Sequence, residues 1–100
     1  MELTDVVNGV EAVSAEYCRK FSIERDNEWF LLKIQEELGE LVQCYLEGSG
    51  KARSRGRSEE ELKENFQHEI VDLLCLTLAM TKFNNIELEQ VIQEKWLKWL

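Results

Sequence analysis

The chain has 100 residues, with 20 acidic and 12 basic side chains, a formal charge of −8, no proline and five glycines. This length accommodates one domain, 1–100, whose folding hides only about 60–65% of the surface the unfolded chain exposes, so a thin core and self-association are expected. The negative charge excludes a general DNA or RNA binder, because phosphate backbones are held by clustered Lys and Arg.

With 44% hydrophobic and 32% charged residues, the chain is too apolar for a disordered acidic tail and suits soluble amphipathic helices. The longest apolar run, Leu73–Met80 broken only by Thr77, falls far short of the roughly 20 residues of a membrane span, so no membrane association is expected. The opening Met-Glu-Leu-Thr-Asp has neither the basic nor the apolar region of a signal peptide. Cys18, Cys44 and Cys75 are spaced like neither a zinc site nor a disulfide framework. Reduced thiols in a cytoplasmic protein are the simplest expectation.

Hydrophobic periodicity divides the chain into four helices. The first, about 4–21, repeats Val6, Val10, Val13 and Tyr17 at helical spacing, with Thr4 as its expected N-cap. The second, about 26–47, opens at Asp26 and carries Phe30, Ile34, Leu38, Leu41 and Tyr45 along one stripe. The segment 48–57 has three glycines and the cations Lys51, Arg53, Arg55 and Arg57, which predicts a mobile basic loop. Ser58-Glu-Glu-Glu61 is a capping box that opens a third helix, about 58–83. Its second half is apolar nearly all round and is expected to be buried. Asn84-Asn85 predicts the break, and a fourth segment, about 86–99, repeats Ile86, Leu88, Val91, Ile92 and Trp96. No window alternates as a strand would. An all-α, four-helix bundle-like protomer is the expected fold.

Two acidic pairs carry chemical information. Residues three apart on a helix project to nearly the same side, so Glu37 with Glu40 and Glu69 with Asp72 form two carboxylate pairs flanking apolar stripes. If their helices pack antiparallel, the pairs face each other, and four such carboxylates repel strongly without a cation among them. Oxygen-only ligands suit Mg²⁺, with Mn²⁺ as a substitute, and magnesium sites are commonly completed by substrate phosphates. Glu36 is a possible auxiliary ligand. A di-iron bundle is excluded, because it needs two Glu-x-x-His motifs and His68 is the single histidine. The alternative is a pair of solvated acidic helix faces, the commoner fate of an isolated Glu-x-x-Glu.

Glu37-x-x-Glu40, 28 intervening residues and Glu69-x-x-Asp72 resemble the signature of the all-α nucleoside triphosphate pyrophosphatases, the MazG-like group. The similarity runs from Leu-Leu-Lys-Ile-Gln-Glu-Glu-Leu-Gly-Glu-Leu through Glu-Ile-Val-Asp-Leu-Leu to Asn-Ile-Glu-Leu-Glu-Gln-Val-Ile-Gln-Glu-Lys. This resemblance implies Mg²⁺-dependent cleavage of the α–β phosphoanhydride of a nucleoside triphosphate, giving the monophosphate and pyrophosphate, in a homodimer or homotetramer with shared sites. It implies Glu37, Glu40, Glu69 and Asp72 as metal ligands and Lys95 as a phosphate contact; Glu37 or Glu40 is the expected water-activating carboxylate. A phosphoribosyl-ATP-type substrate and a non-enzymatic interaction module remain alternatives. The positions four after Asp72 and Lys95, often aromatic and asparagine in that group, are Leu76 and Trp99 here. Lys51, Arg53, Arg55 and Arg57 could close on a triphosphate or merely balance charge. Trp29 and Trp99 could stack on a base, although tryptophans at helical spacing more often serve core or subunit contacts.

Overall fold

The computed structural model describes residues 1–100 as four helices without a strand: α1 (Leu3–Lys20), α2 (Asn27–Gly48), α3 (Glu59–Phe83) and α4 (Leu88–Lys95), followed by a short 3₁₀ turn, Leu97–Trp99. Local signals explain most boundaries. The Asp26 carboxylate accepts the Trp29 N–H at 2.8 Å and starts α2. Ser58 and Glu61 satisfy each other's backbone N–H groups at the start of α3. Asn85 takes a left-handed conformation, φ 55°, just beyond the end of α3, where a helix terminates cheaply only at residues tolerating positive φ.

The first helix departs from expectation. Thr4 is not its cap: α1 begins at Leu3 behind an extended Glu2, and no side chain caps it. Val6 N–H already donates to Glu2 C=O, so the helical ladder starts before Thr4 could close it. No helix is long and apolar enough to cross a membrane.

α3 is the centre of the fold, packing on α1 along one side and on α2 along another. The α2–α3 pair is an antiparallel hairpin. Asn27 and Asn84 exchange side-chain hydrogen bonds of 2.9 and 2.7 Å at one end of it, and the Cys44 thiol donates to Leu62 C=O toward the other. Arg25 locks all three helices. Its guanidinium reaches Glu11 and, at 3.1 Å, the Ser14 hydroxyl on α1, while lying 5.3 and 5.1 Å from the Phe30 and Phe83 rings on α2 and α3. Partial desolvation strengthens each of these cation–π contacts.

The rest of the molecule is open. Its radius of gyration is 16.1 Å, against about 13 Å for a compact chain of this length. Only seven residues are buried, Phe30 most completely. The expected burial of the second half of α3 is therefore not found: Leu78 and Ala79 are buried, but Val71 and Leu74 are about half exposed, at 52% and 53%. Apolarity all round a helix needs neighbours all round it, and α3 has only two. The α2 stripe divides similarly, with Phe30 inside and Leu38 and Tyr45 facing outward. The bundle itself is three helices; α4 and its 3₁₀ turn pack on each other and on little else.

Candidate metal centre

The antiparallel pairing of α2 and α3 brings both acidic motifs together. One oxygen from each of Glu37, Glu69 and Asp72 lies within 4.8 Å of the others, and so do oxygens of Glu36, Glu37 and Glu40. Glu37 belongs to both groups and is the centre of the cluster. It is half-buried like Glu69, whereas Glu36, Glu40 and Asp72 stand at the exposed rim.

The electrostatics are those of an uncompensated acidic pair. Burial, followed by the Glu40 charge and the neighbouring Glu69 carboxylate, pushes the pKa of Glu37 up to about 7. Glu69 is also raised, by burial first and by the Glu40 and Asp72 charges, against the opposing effect of its contact with Glu37. Glu37 Oε2 and Glu69 Oε2 are fully buried without a hydrogen-bond donor. Such an oxygen costs about 1–3 kcal/mol if nothing meets it. These residues could hold a divalent cation: carboxylate oxygens a few ångströms apart, two of them without a donor and the others open to solvent, have the chemistry of a site for a hard oxygen-ligated ion that retains waters.

Lys33 is the nearest cation that sequence inspection did not single out. It pairs with Glu36 at 3.2 Å. Partial burial opposes its charge, but the Glu36 hydrogen bond and the Glu36 and Glu37 charges prevail and raise its pKa. Its position one turn before Glu37 was a readable signal, since i and i+4 share a helix face.

Beside the cluster opens a groove of about 760 Å³, lined by α1, α2 and α3. Val6, Val10, Val13 and Leu76 make it largely apolar, and Trp29, Lys33, Glu37 and Asp72 give it an aromatic and charged flank. Trp29 is thus beside the carboxylates, its ring held edge-on against Phe30. Trp99 is not: it is 79% exposed beyond α4. Lys95 likewise lies on α4 and does not line the groove.

The basic loop is partly anchored. Arg57 forms an ion pair with the buried Glu47 carboxylate, which also accepts the Arg55 backbone N–H at 3.1 Å. Arg57 therefore has a structural partner, while Lys51, Arg53 and Arg55 extend exposed side chains. His68, 3.9 Å from Glu64 on an exposed face, takes no part in the cluster. Comparison of the chain with family models, characterised proteins and solved structures finds no match.

Proposed function

We propose that the protein is a Mg²⁺-dependent nucleoside triphosphate pyrophosphohydrolase, cleaving the α–β phosphoanhydride to a nucleoside monophosphate and pyrophosphate. The observation that carries this reading is the meeting of Glu37, Glu40, Glu69 and Asp72 between two antiparallel helices, with two buried carboxylate oxygens lacking any donor. The resemblance of the spaced Glu-x-x-Glu and Glu-x-x-Asp motifs to MazG-like enzymes points the same way.

Glu37, Glu40, Glu69 and Asp72 would hold the ion, with Glu36 able to join from the rim. When bound, magnesium supplies charge neutralisation on the polyphosphate and lowers the pKa of water. The residues do the remaining work. Glu37, at the centre of the cluster, or Glu40, at its rim, accepts a proton from the attacking water. Lys33 places a positive charge on the same flank for the substrate's phosphates, and Trp29 with the valine-lined wall receives the nucleoside and excludes water from that side. In-line attack by water at one phosphorus of the α–β bond separates the monophosphate from pyrophosphate, and positioning with charge neutralisation provides most of the acceleration.

The test is to incubate the protein with a panel of canonical and modified nucleoside triphosphates and Mg²⁺, measuring pyrophosphate separately from orthophosphate. Pyrophosphate release that is abolished by EDTA and reduced about 100-fold or more by Glu40→Gln is expected. Orthophosphate alone, or full activity in Glu40→Gln, would overturn the reading, and turnover of phosphoribosyl-ATP with no triphosphate accepted would transfer the site to that substrate class.

A further inference from the structure

The segment after α4 repeats three kinds of side chain in a fixed order. Residues 95–100 read Lys-Trp-Leu-Lys-Trp-Leu, with no acidic side chain among them. Trp99 N–H donates to Trp96 C=O at 3.2 Å and Leu100 N–H to Leu97 C=O at 3.1 Å, the bonding of a turn with three residues per revolution. At that pitch side chains i and i+3 eclipse. Trp96 thus shares a side with Trp99, Leu97 with Leu100 and Lys95 with Lys98, giving an aromatic, an aliphatic and a cationic column. All four apolar side chains are exposed: Trp96 and Trp99 are 71% and 79% accessible, and Leu97 and Leu100 stand beside them. The turn packs on α4 and on little else.

We propose that residues 95–100 form an interfacial anchor that docks on the surface of an anionic lipid bilayer. The three columns select this partner. Tryptophan settles at the headgroup level, where the ring meets hydrocarbon and the indole N–H stays wet. The leucine column enters the acyl boundary, while the lysines reach the lipid phosphates. The Lys98 ammonium already lies 4.9 Å over the Trp99 ring, at the boundary between ring and water that such a position requires. A bilayer surface accepts both apolar columns at once without a preformed pocket and sets a phosphate against each ammonium. Five residues at about 2 Å each make a rod of about 10 Å, which fits the headgroup region and cannot cross the hydrocarbon core. The lack of any spanning helix is therefore no obstacle. The remainder of the chain has 10 basic against 20 acidic side chains, a charge of −10, so an anionic surface repels the body and attracts this segment alone. Glu94, the acid nearest in sequence, accepts the Gln90 amide at 3.0 Å. The contact is consequently single-ended, reversible and sensitive to salt.

The docking does not depend on the pyrophosphohydrolase reading, and its test involves no turnover. The protein is co-sedimented with vesicles of phosphatidylcholine containing about 30% phosphatidylglycerol and with vesicles of phosphatidylcholine alone. Binding to the anionic vesicles is expected, with an apparent partition coefficient at least about fivefold lower on neutral vesicles and in high salt. Trp96→Ser/Trp99→Ser and, separately, Lys98→Glu should each lower it at least about tenfold. Because these side chains are exposed, unchanged helicity by circular dichroism is expected of both variants. A second measurement keeps the wild-type arm: in Trp29→Phe only Trp96 and Trp99 emit, and anionic vesicles with brominated acyl chains should quench them. No binding to anionic vesicles, equal binding to neutral ones, equal binding by the double serine variant, or unquenched emission would each overturn the proposal. Emission that shifts to the blue with protein concentration in the absence of lipid would overturn it by assigning the arm to a protein contact.

Discussion

The partly or fully buried carboxylates of the bundle divide into two kinds. Glu11 on α1 and Glu47 at the end of α2 each face an arginine, Arg25 and Arg57 respectively. Glu37 and Glu69, between α2 and α3, face other acids. Glu11 keeps one oxygen without a donor, but its charge is answered; at Glu37 and Glu69 neither the orphaned oxygen nor the charge is. The same residue type in the same small fold thus serves two ends. Where a guanidinium is supplied, the carboxylate ties elements together. Where none is supplied, the carboxylates repel one another, a repulsion that a proton on Glu37 or a bound cation would relieve.

The largest effect should come from breaking the paired kind. Arg25→Met keeps a side chain between Phe30 and Phe83 but leaves Glu11 without its charge partner, and a loss of about 3 kcal/mol is expected. For a domain of this size that lowers the Tm by more than about 10 °C in calorimetry. A change of only a degree or two would mean that the aromatic sandwich, not the ion pair, holds the three helices together.

The opposite sign is expected at the unpaired kind. An acid whose pKa is raised on folding stabilises the fold at low pH, and this contribution is lost as pH climbs from the ordinary glutamate range through about 7 for Glu37. In metal-free buffer, Glu37→Gln should therefore match the parent near pH 4 and exceed it above pH 7, by an amount on the order of 2 kcal/mol. Equal pH profiles for the two proteins would show that the Glu37 charge is already compensated.

A smaller effect separates Glu47 from both. The Arg57 guanidinium, followed by the Arg55 backbone N–H, holds the Glu47 carboxyl below its usual range, with modest opposition from desolvation. This stabilisation is present above the ordinary glutamate range and is lost as pH falls through the lowered value. Arg57→Ala should reduce the Tm at pH 7 by less than Arg25→Met does, and the difference from the parent should shrink in acid. A difference that persists in acid would assign it to loop packing instead.

How far the sequence revealed this division depends on range. Capping at Asp26 and Ser58 and the break at Asn85 are decided within three or four residues, and they were legible. So were the carboxylate pairs, because i and i+3 positions share a helix side. Leu73–Met80 misled because apolarity states what could be buried, while the number of neighbouring helices decides what is. Arg25 gave no local signal: its partners Glu11, Ser14, Phe30 and Phe83 come from three helices. The anchoring of Arg57 across ten residues by Glu47 was hidden in the same way, behind a stretch whose glycines and charges read as mobile.

The most direct measurement of the central claim is thermal unfolding at pH 8 with EDTA and with a titration of MgCl₂. A ligand bound only by the folded state stabilises it by RT ln(1 + [L]/Kd), about 2.7 kcal/mol at one hundred times Kd. The Tm of the parent protein should rise with magnesium, the rise should vanish in Glu37→Gln and Glu69→Gln, and it should survive in Arg57→Ala, whose change lies outside the cluster. A parent Tm that does not move with magnesium, or an equal rise in Glu37→Gln, would contradict a divalent cation site between α2 and α3.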